Sequence, residues 1–149
     1  MRNLTLAALV LLAPLAHADD NAEKVREYRH EVMEALGASM KMSAMIAKSE
    51  ISRADDMKAH ANSVAHYAKL VKSLFPEGTG PDKIKTDAKP EVWSDRAGFD
   101  KAADAFIEKS EAWVKAAESG DAAAAMQAFG AVGKTCGGCH DDYKVDDDH

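Results

Sequence analysis

Near the C-terminal end stands Cys136-Gly137-Gly138-Cys139-His140, the group of residues with the most reactive chemistry in the chain. Two thiols three positions apart, followed at once by an imidazole, make the C-x-x-C-H pattern through which a c-type haem is attached. The spacing suits that chemistry. The thiols can add across two vinyl groups on one edge of a porphyrin, and the imidazole, one helical turn past the first cysteine, can turn under the ring and ligate its iron. Gly137 and Gly138 leave room for the ring edge close to the backbone. Other uses of the pair fit less well. A thioredoxin-like site needs a preceding strand and a βαβ context. A disulfide across one helical turn has poor geometry, and a zinc site lacks a fourth ligand. One such motif supplies one axial ligand, so the opposite iron position is either faced by an earlier residue or left open.

Four stretches with helical periodicity must position this motif. The first spans about Asn21 to Ala47, with Val25, Tyr28, Val32, Leu36, Ser39 and Ser43 on one face and Met33 and Met40 on its flank. The second spans about Asp55 to Phe75, through Met57, Ala61, Val64, Ala68 and Val71, with Ser52-x-x-Asp55 reading as a capping-box variant. The third spans about Asp95 to Glu118, through Phe99, Ala102, Phe106, Ser110, Trp113 and Ala117. The fourth starts after Asp121, a good N-cap, and runs to about Val145 with Ala125, Phe129, Val132, Cys136, His140 and Tyr143 on its seam. Lys48 to Arg53 and Gly120 are short breaks; Pro76 to Pro90 is a long crossover rich in proline and glycine. Two short links and one long crossover among four helices describe an all-α, antiparallel four-helix bundle with its haem near the C-terminal helix.

The N-terminal eighteen residues read as a leader. A single Arg2 precedes an apolar run from Leu4 to Leu15, and Ala16-His17-Ala18 is a small-x-small cleavage pattern. The expected division is therefore a cleaved signal peptide over 1–18 and one haem domain over 19–149, exported to the periplasm as a soluble protein. The full chain has 149 residues and a formal charge of −6, and losing Arg2 with the leader makes it one charge more negative. That acidity argues against nucleic acid and anionic membranes as partners. Two cysteines exclude a disulfide-dense scaffold. No nucleophile–base pair and no phosphate loop stand out, so no enzymatic turnover is expected. The Asp146-Asp147-Asp148-His149 tail reads as a solvated end.

The sequence resembles the class II cytochromes c, and within them the cytochrome c′ family, over essentially all of the chain after the leader. Tyr28-Arg29-His30-Glu31-Val32-Met33, Leu74-Phe75-Pro76-Glu77-Gly78-Thr79, Lys89-Pro90-Glu91-Val92-Trp93-Ser94-Asp95 and Cys136 to Tyr143 carry the resemblance, in the family's order. It implies a left-handed bundle with one covalently attached haem c, and a homodimer built through the first two helices. By resemblance, Cys136 and Cys139 carry the thioethers and His140 is the axial iron ligand. Arg29 matches an arginine near a haem propionate, the alternative being a surface residue. Met33 matches the residue over the distal face and Phe75 an aromatic over the iron, with Thr79 in the same haem-facing segment. Trp93 either packs near the haem or anchors its loop on the core. Lys144 departs from the pattern, since the family often has arginine there and lysine is a single flexible cation.

Two functions follow from one bond. If Met33 only packs over an open iron, the resemblance implies a five-coordinate, high-spin gas-binding protein that takes NO and CO and serves in nitric oxide handling, with electron transfer to a redox partner as a further capacity. If the Met33 sulfur ligates the iron, it implies a six-coordinate, low-spin electron carrier. Met40, Met42 and Met45 are expected in core and dimer-face packing. His30, His60 and His66 fall outside the main seams and are expected in solvent, with His66 the candidate for a dimer contact.

Overall fold

The structure is a computed structural model of the chain, and it describes residues 21–145. The leader and the acidic tail lie outside the described residues. Helix α1 spans Ala22–Ala47, α2 Met57–Ala68, α3 Glu91–Ser94, α4 Arg96–Glu118 and α5 Ala122–Tyr143. Among the described residues there is no strand, only one antiparallel bridge between Ala88 and Lys144. The four long helices make the bundle; α3 is a single turn at the end of the crossover. No helix among the described residues is long and apolar enough to cross a membrane.

Local chemistry sets the helix ends. Asn21 accepts from Glu23 N at 2.9 Å at the start of α1. Asp95 accepts from Gly98 N at 3.2 Å at the start of α4, and Asp121 from Ala124 N at 3.0 Å at the start of α5. Gly120 adopts φ +77° just past α4, where a side chain would be strained. The expected Ser52–Asp55 cap does not form. A 3₁₀ turn over Ala54–Asp56 leads into α2, with Arg53 paired to Asp56 and no side-chain cap on either turn.

The second stretch departs from one continuous helix. The α-helix ends at Ala68, and a 3₁₀ turn over Val71–Leu74 completes it. Hydrophobic spacing over one turn cannot separate the two forms. Pro76 adds a physical reason, because it has no N–H to close the last α-turn onto Lys72 O.

The buried seams hold Val32 and Leu36 of α1, Ala61, Val64 and Ala68 of α2, Phe99, Phe106 and Trp113 of α4, and Val132 and Tyr143 of α5. Two seam positions are corrected, one of them His140, which is exposed near the end of the fourth seam. Tyr28 is 58% exposed, and Arg29 takes its place in the interior at 5%. Along the chain of neighbours α5 packs on α4, α4 on α2 and α2 on α1, whereas α1 and α5 meet only sparsely. That loose seam is where the bundle opens.

Candidate haem site

A cavity of about 1150 Å³ fills the space between α1 and α5. It is larger than a typical small-molecule pocket of roughly 300–1,000 Å³. Met33, Leu36 and Met40 line it from α1, Val71 and Phe75 from the end of the second bundle helix, and Phe99, Ala103 and Phe106 from α4. Cys136, Cys139 and His140 line it from α5, and Lys144 from just past its end. The α-helical spacing of 136, 139 and 140 puts both thiols and the imidazole on one face, as the motif requires.

Both cysteines are half-buried and unbridged. Burial pushes the Cys136 thiol up, and burial together with the neighbouring Cys136 and Asp142 pushes Cys139 up to about 11. Such thiols are protonated at neutral pH, unlike the depressed, nucleophilic thiol of a disulfide oxidoreductase. A Cβ added at Gly137 or Gly138 meets nothing within 4 Å, so this edge of α5 is open for a ring to approach.

Arg29 is the buried charge of the site. Its guanidinium donates to Leu74 O at 3.3 Å, Thr79 Oγ1 at 3.4 Å, Thr79 O at 3.5 Å and Thr86 Oγ1 at 2.9 Å. It lies over the Phe75 ring, 4.7 Å from its centroid. These acceptors are neutral, and no carboxylate among the described residues is within ion-pair distance of it; Asp87 acts only from further away. Burial lowers its pKa from the ordinary value, the nearby Arg26 adding to this. A buried cation with no anion, on the wall of a cavity, fits a ligand that brings carboxylates. A large apolar cavity, two thiols and an imidazole on one wall and this arginine on another together suit a haem.

The other expected site residues divide. Met33 and Phe75 are on the cavity wall, half-buried and buried respectively. Thr79 is buried but not on the wall; it reaches the cavity only through Arg29, and its own hydroxyl donates to Pro76 O at 2.8 Å. Trp93 also stands off the wall. Its Nε1 donates to Pro76 O at 3.0 Å and its ring meets Phe75 edge-on at 6.0 Å, so it anchors the crossover and backs Phe75. Lys144 lines the cavity one turn beyond His140. His30 is exposed, as expected, yet it lines the cavity mouth.

Several residues of the site were not foreseen. Met40 lines the cavity in addition to packing on the core. Phe99 and Phe106 do so as well; their spacing of seven along the third seam was the available signal. Thr86 and Ala88 left none. The crossover binds the end of α5 through Lys89 N to Tyr143 O at 2.9 Å and Val145 N to Asp87 O at 2.8 Å. Tyr143 OH adds a bond to Asp95 Oδ2 at 3.3 Å. The segment that supplies Thr86 to Arg29 is thereby also tied to the helix that carries His140.

Known proteins are similar to this chain over nearly its whole length. The family model described as cytochrome c′ matches residues 24–144. A curated cytochrome c′ of Cereibacter sphaeroides is 36% identical over 97% of this chain and 99% of its own. A nitric oxide complex of a mutant cytochrome c prime from Alcaligenes xylosoxidans has TM-score 0.78 and 28% identity, covering 86% of this chain and 98% of the other. A carbon monoxide-bound variant of the same organism's protein has TM-score 0.78 and 28% identity, covering 85% and 98%. The match spans the bundle, the cavity and the C-x-x-C-H motif alike, and the chain belongs to the cytochrome c′ family, in which haem c is covalently attached.

Proposed function

We propose that the chain is a periplasmic haem protein with five-coordinate, high-spin iron that binds NO and CO in nitric oxide handling, with electron transfer to a partner protein as a further capacity. Cys136 and Cys139 hold the haem through thioethers, and His140 is its only protein ligand. Held there by Cys136, Cys139 and His140, haem c would supply an iron able to take a small neutral gas. The observation that carries this reading is the apolar wall that Met33, Phe75, Phe99 and Phe106 give the same cavity that His140 lines. None of these side chains is a hydrogen-bond donor. They exclude water and favour ligands that bind without a donor, as NO and CO do better than O2. Arg29 holds a haem propionate, and its remaining donors stay on Leu74, Thr79 and Thr86. The domain division at residue 18 and export through the cleaved leader belong to the same proposal. The structural neighbours described as nitric oxide and carbon monoxide complexes support it.

A second reading has one observation in its favour. Met33 lines the same cavity as His140 and carries a sulfur able to ligate iron, which would make a six-coordinate electron carrier. Absorption and resonance Raman spectra of the purified protein separate the two. A five-coordinate high-spin signature with CO uptake by the ferrous form is expected. A low-spin spectrum with the near-infrared band of methionine–iron ligation overturns the gas-binding reading. Mass spectrometry of the same sample should show one haem adduct stable to acid acetone.

A further inference from the structure

Helix two ends on the cavity wall in a way its own backbone cannot complete. Pro76 offers no N–H to Lys72 O, and the chain turns away after Phe75. The orphan carbonyls are taken by an arginine from another helix. Arg96, the first residue of α4, donates from Nη2 to Lys72 O at 2.8 Å and from Nη1 to Phe75 O at 3.0 Å. Its Nε donates to Asp100 Oδ1 at 2.9 Å, which orients the planar fork and leaves both terminal nitrogens for the two carbonyls. The guanidinium also lies over the Phe99 ring at 5.4 Å from its centroid, and Phe99 meets Phe75 edge-on at 5.0 Å.

We infer that Arg96 is a positioning residue for the distal wall: by gripping the carbonyls of Lys72 and Phe75 it holds the Phe75 ring over the cavity and so sets how readily a small gas reaches the iron. The inference rests on the open-iron reading for its effect on ligand entry, although the grip itself does not. Two guanidinium groups constrain the segment through different carbonyls. Arg29 takes Leu74 O and faces the Phe75 ring, and Arg96 takes Phe75 O. Arg29 itself faces the cavity and binds there; Arg96 does not line it and acts only through Phe75.

The test uses the haem-loaded full-length protein in four forms: Arg96→Gln, Arg96→Lys, Phe75→Leu and the double variant Arg96→Gln with Phe75→Leu. CO association to the ferrous form is followed by flash photolysis. Arg96→Gln should speed it about five-fold, equivalent to about 1 kcal/mol at 1.36 kcal/mol per decade. Arg96→Lys, with one point charge in place of a fork, should fall between. In the Phe75→Leu background Arg96→Gln should add nothing. A lowered melting temperature with unchanged CO kinetics, or independent multiplying effects in the double variant, overturns the inference. The spectrum of the parent protein tells this failure apart from failure of the open-iron reading. Should the parent prove low-spin with methionine bound, the grip is read instead from the Phe75 ring-flip rate by NMR of the diamagnetic ferrous protein. Faster flipping in Arg96→Gln sustains the positioning role, and an unchanged rate overturns it.

Discussion

At the scale of single residues, the side chain at position 33 decides between two functions. Met33 is half-buried on the wall of the cavity that also contains His140. A thioether in that place can be a lid or a ligand, and the two roles respond differently to truncation. As a lid, Met33→Ala should leave the iron high-spin and speed CO association by roughly tenfold, a barrier lowering of about 1.4 kcal/mol. As a ligand, the same substitution would convert a low-spin spectrum to high-spin. Stopped-flow CO binding and the absorption spectrum of one variant read both outcomes. Arg29 illustrates a different point at the same scale. It caps a carbonyl at the end of helix two and presents a buried charge to the cavity, so one residue both ties the fold and offers a donor to an anionic ligand.

At the scale of elements, the end of α1 holds a correctable strain. Glu50 N bonds Met45 O at 2.9 Å and Ser49 N bonds Ile46 O at 3.0 Å, the two bonds of a Schellman motif. The residue in its left-handed position is Ser49, at φ +58°, where glycine is the usual occupant. Ser49→Gly removes the Cβ clash there and adds some unfolded-state entropy, for a net gain of about 0.5–1 kcal/mol. Thermal unfolding of the haem-loaded protein should show a melting temperature a few degrees higher. The haem spectrum should not change, because Ser49 does not line the cavity. At the other end of the bundle α4 and α5 approach closely through Gly98. A Cβ there would lie 2.1 Å from Asp95 Oδ2 and 2.7 Å from the Tyr143 hydroxyl, the acceptor and donor of the bond that ties the end of α5 to the start of α4.

At the scale of the whole molecule, α1 keeps large apolar side chains in solvent in addition to those it buries. Arg29, Val32, Leu36, Ser39 and Ser43 face the interior. Met40 and Ile46 pack against the core, while Tyr28, Met42 and Met45 remain exposed on the outer side. Exposed apolar side chains on one helix suit an interface, and a second copy meeting through the first two helices would cover them. Sedimentation equilibrium at micromolar concentration should give a dimer. Met42→Glu together with Met45→Glu should halve the mass while leaving the haem spectrum intact. A monomeric parent protein would reject the dimer without touching the haem site.

The chain itself specifies a great deal of this protein. C-x-x-C-H is a chemical pattern whose meaning depends on covalent spacing alone, so Cys136, Cys139 and His140 stand out as a candidate haem attachment without a fold, and the structure puts all three on the wall of one cavity. The apolar seams of the four helices were legible for a similar reason, since periodicity is local and burial follows it. Asp95, Asp121 and Gly120 announced helix ends by their own side chains or lack of one. Tertiary structure decided what local pattern leaves degenerate. Tyr28 and Arg29 both fit an interior seam by spacing, and hydropathy favours tyrosine. The carbonyls of Leu74 and Thr79, about fifty residues away, need donors, and that need brings the arginine inside. Lys72 O and Phe75 O likewise summon Arg96 from the start of α4, a partnership that no spacing encodes. The cavity is tertiary too: it exists because α1 and α5 meet only sparsely, while each packs firmly on its other neighbour in the bundle.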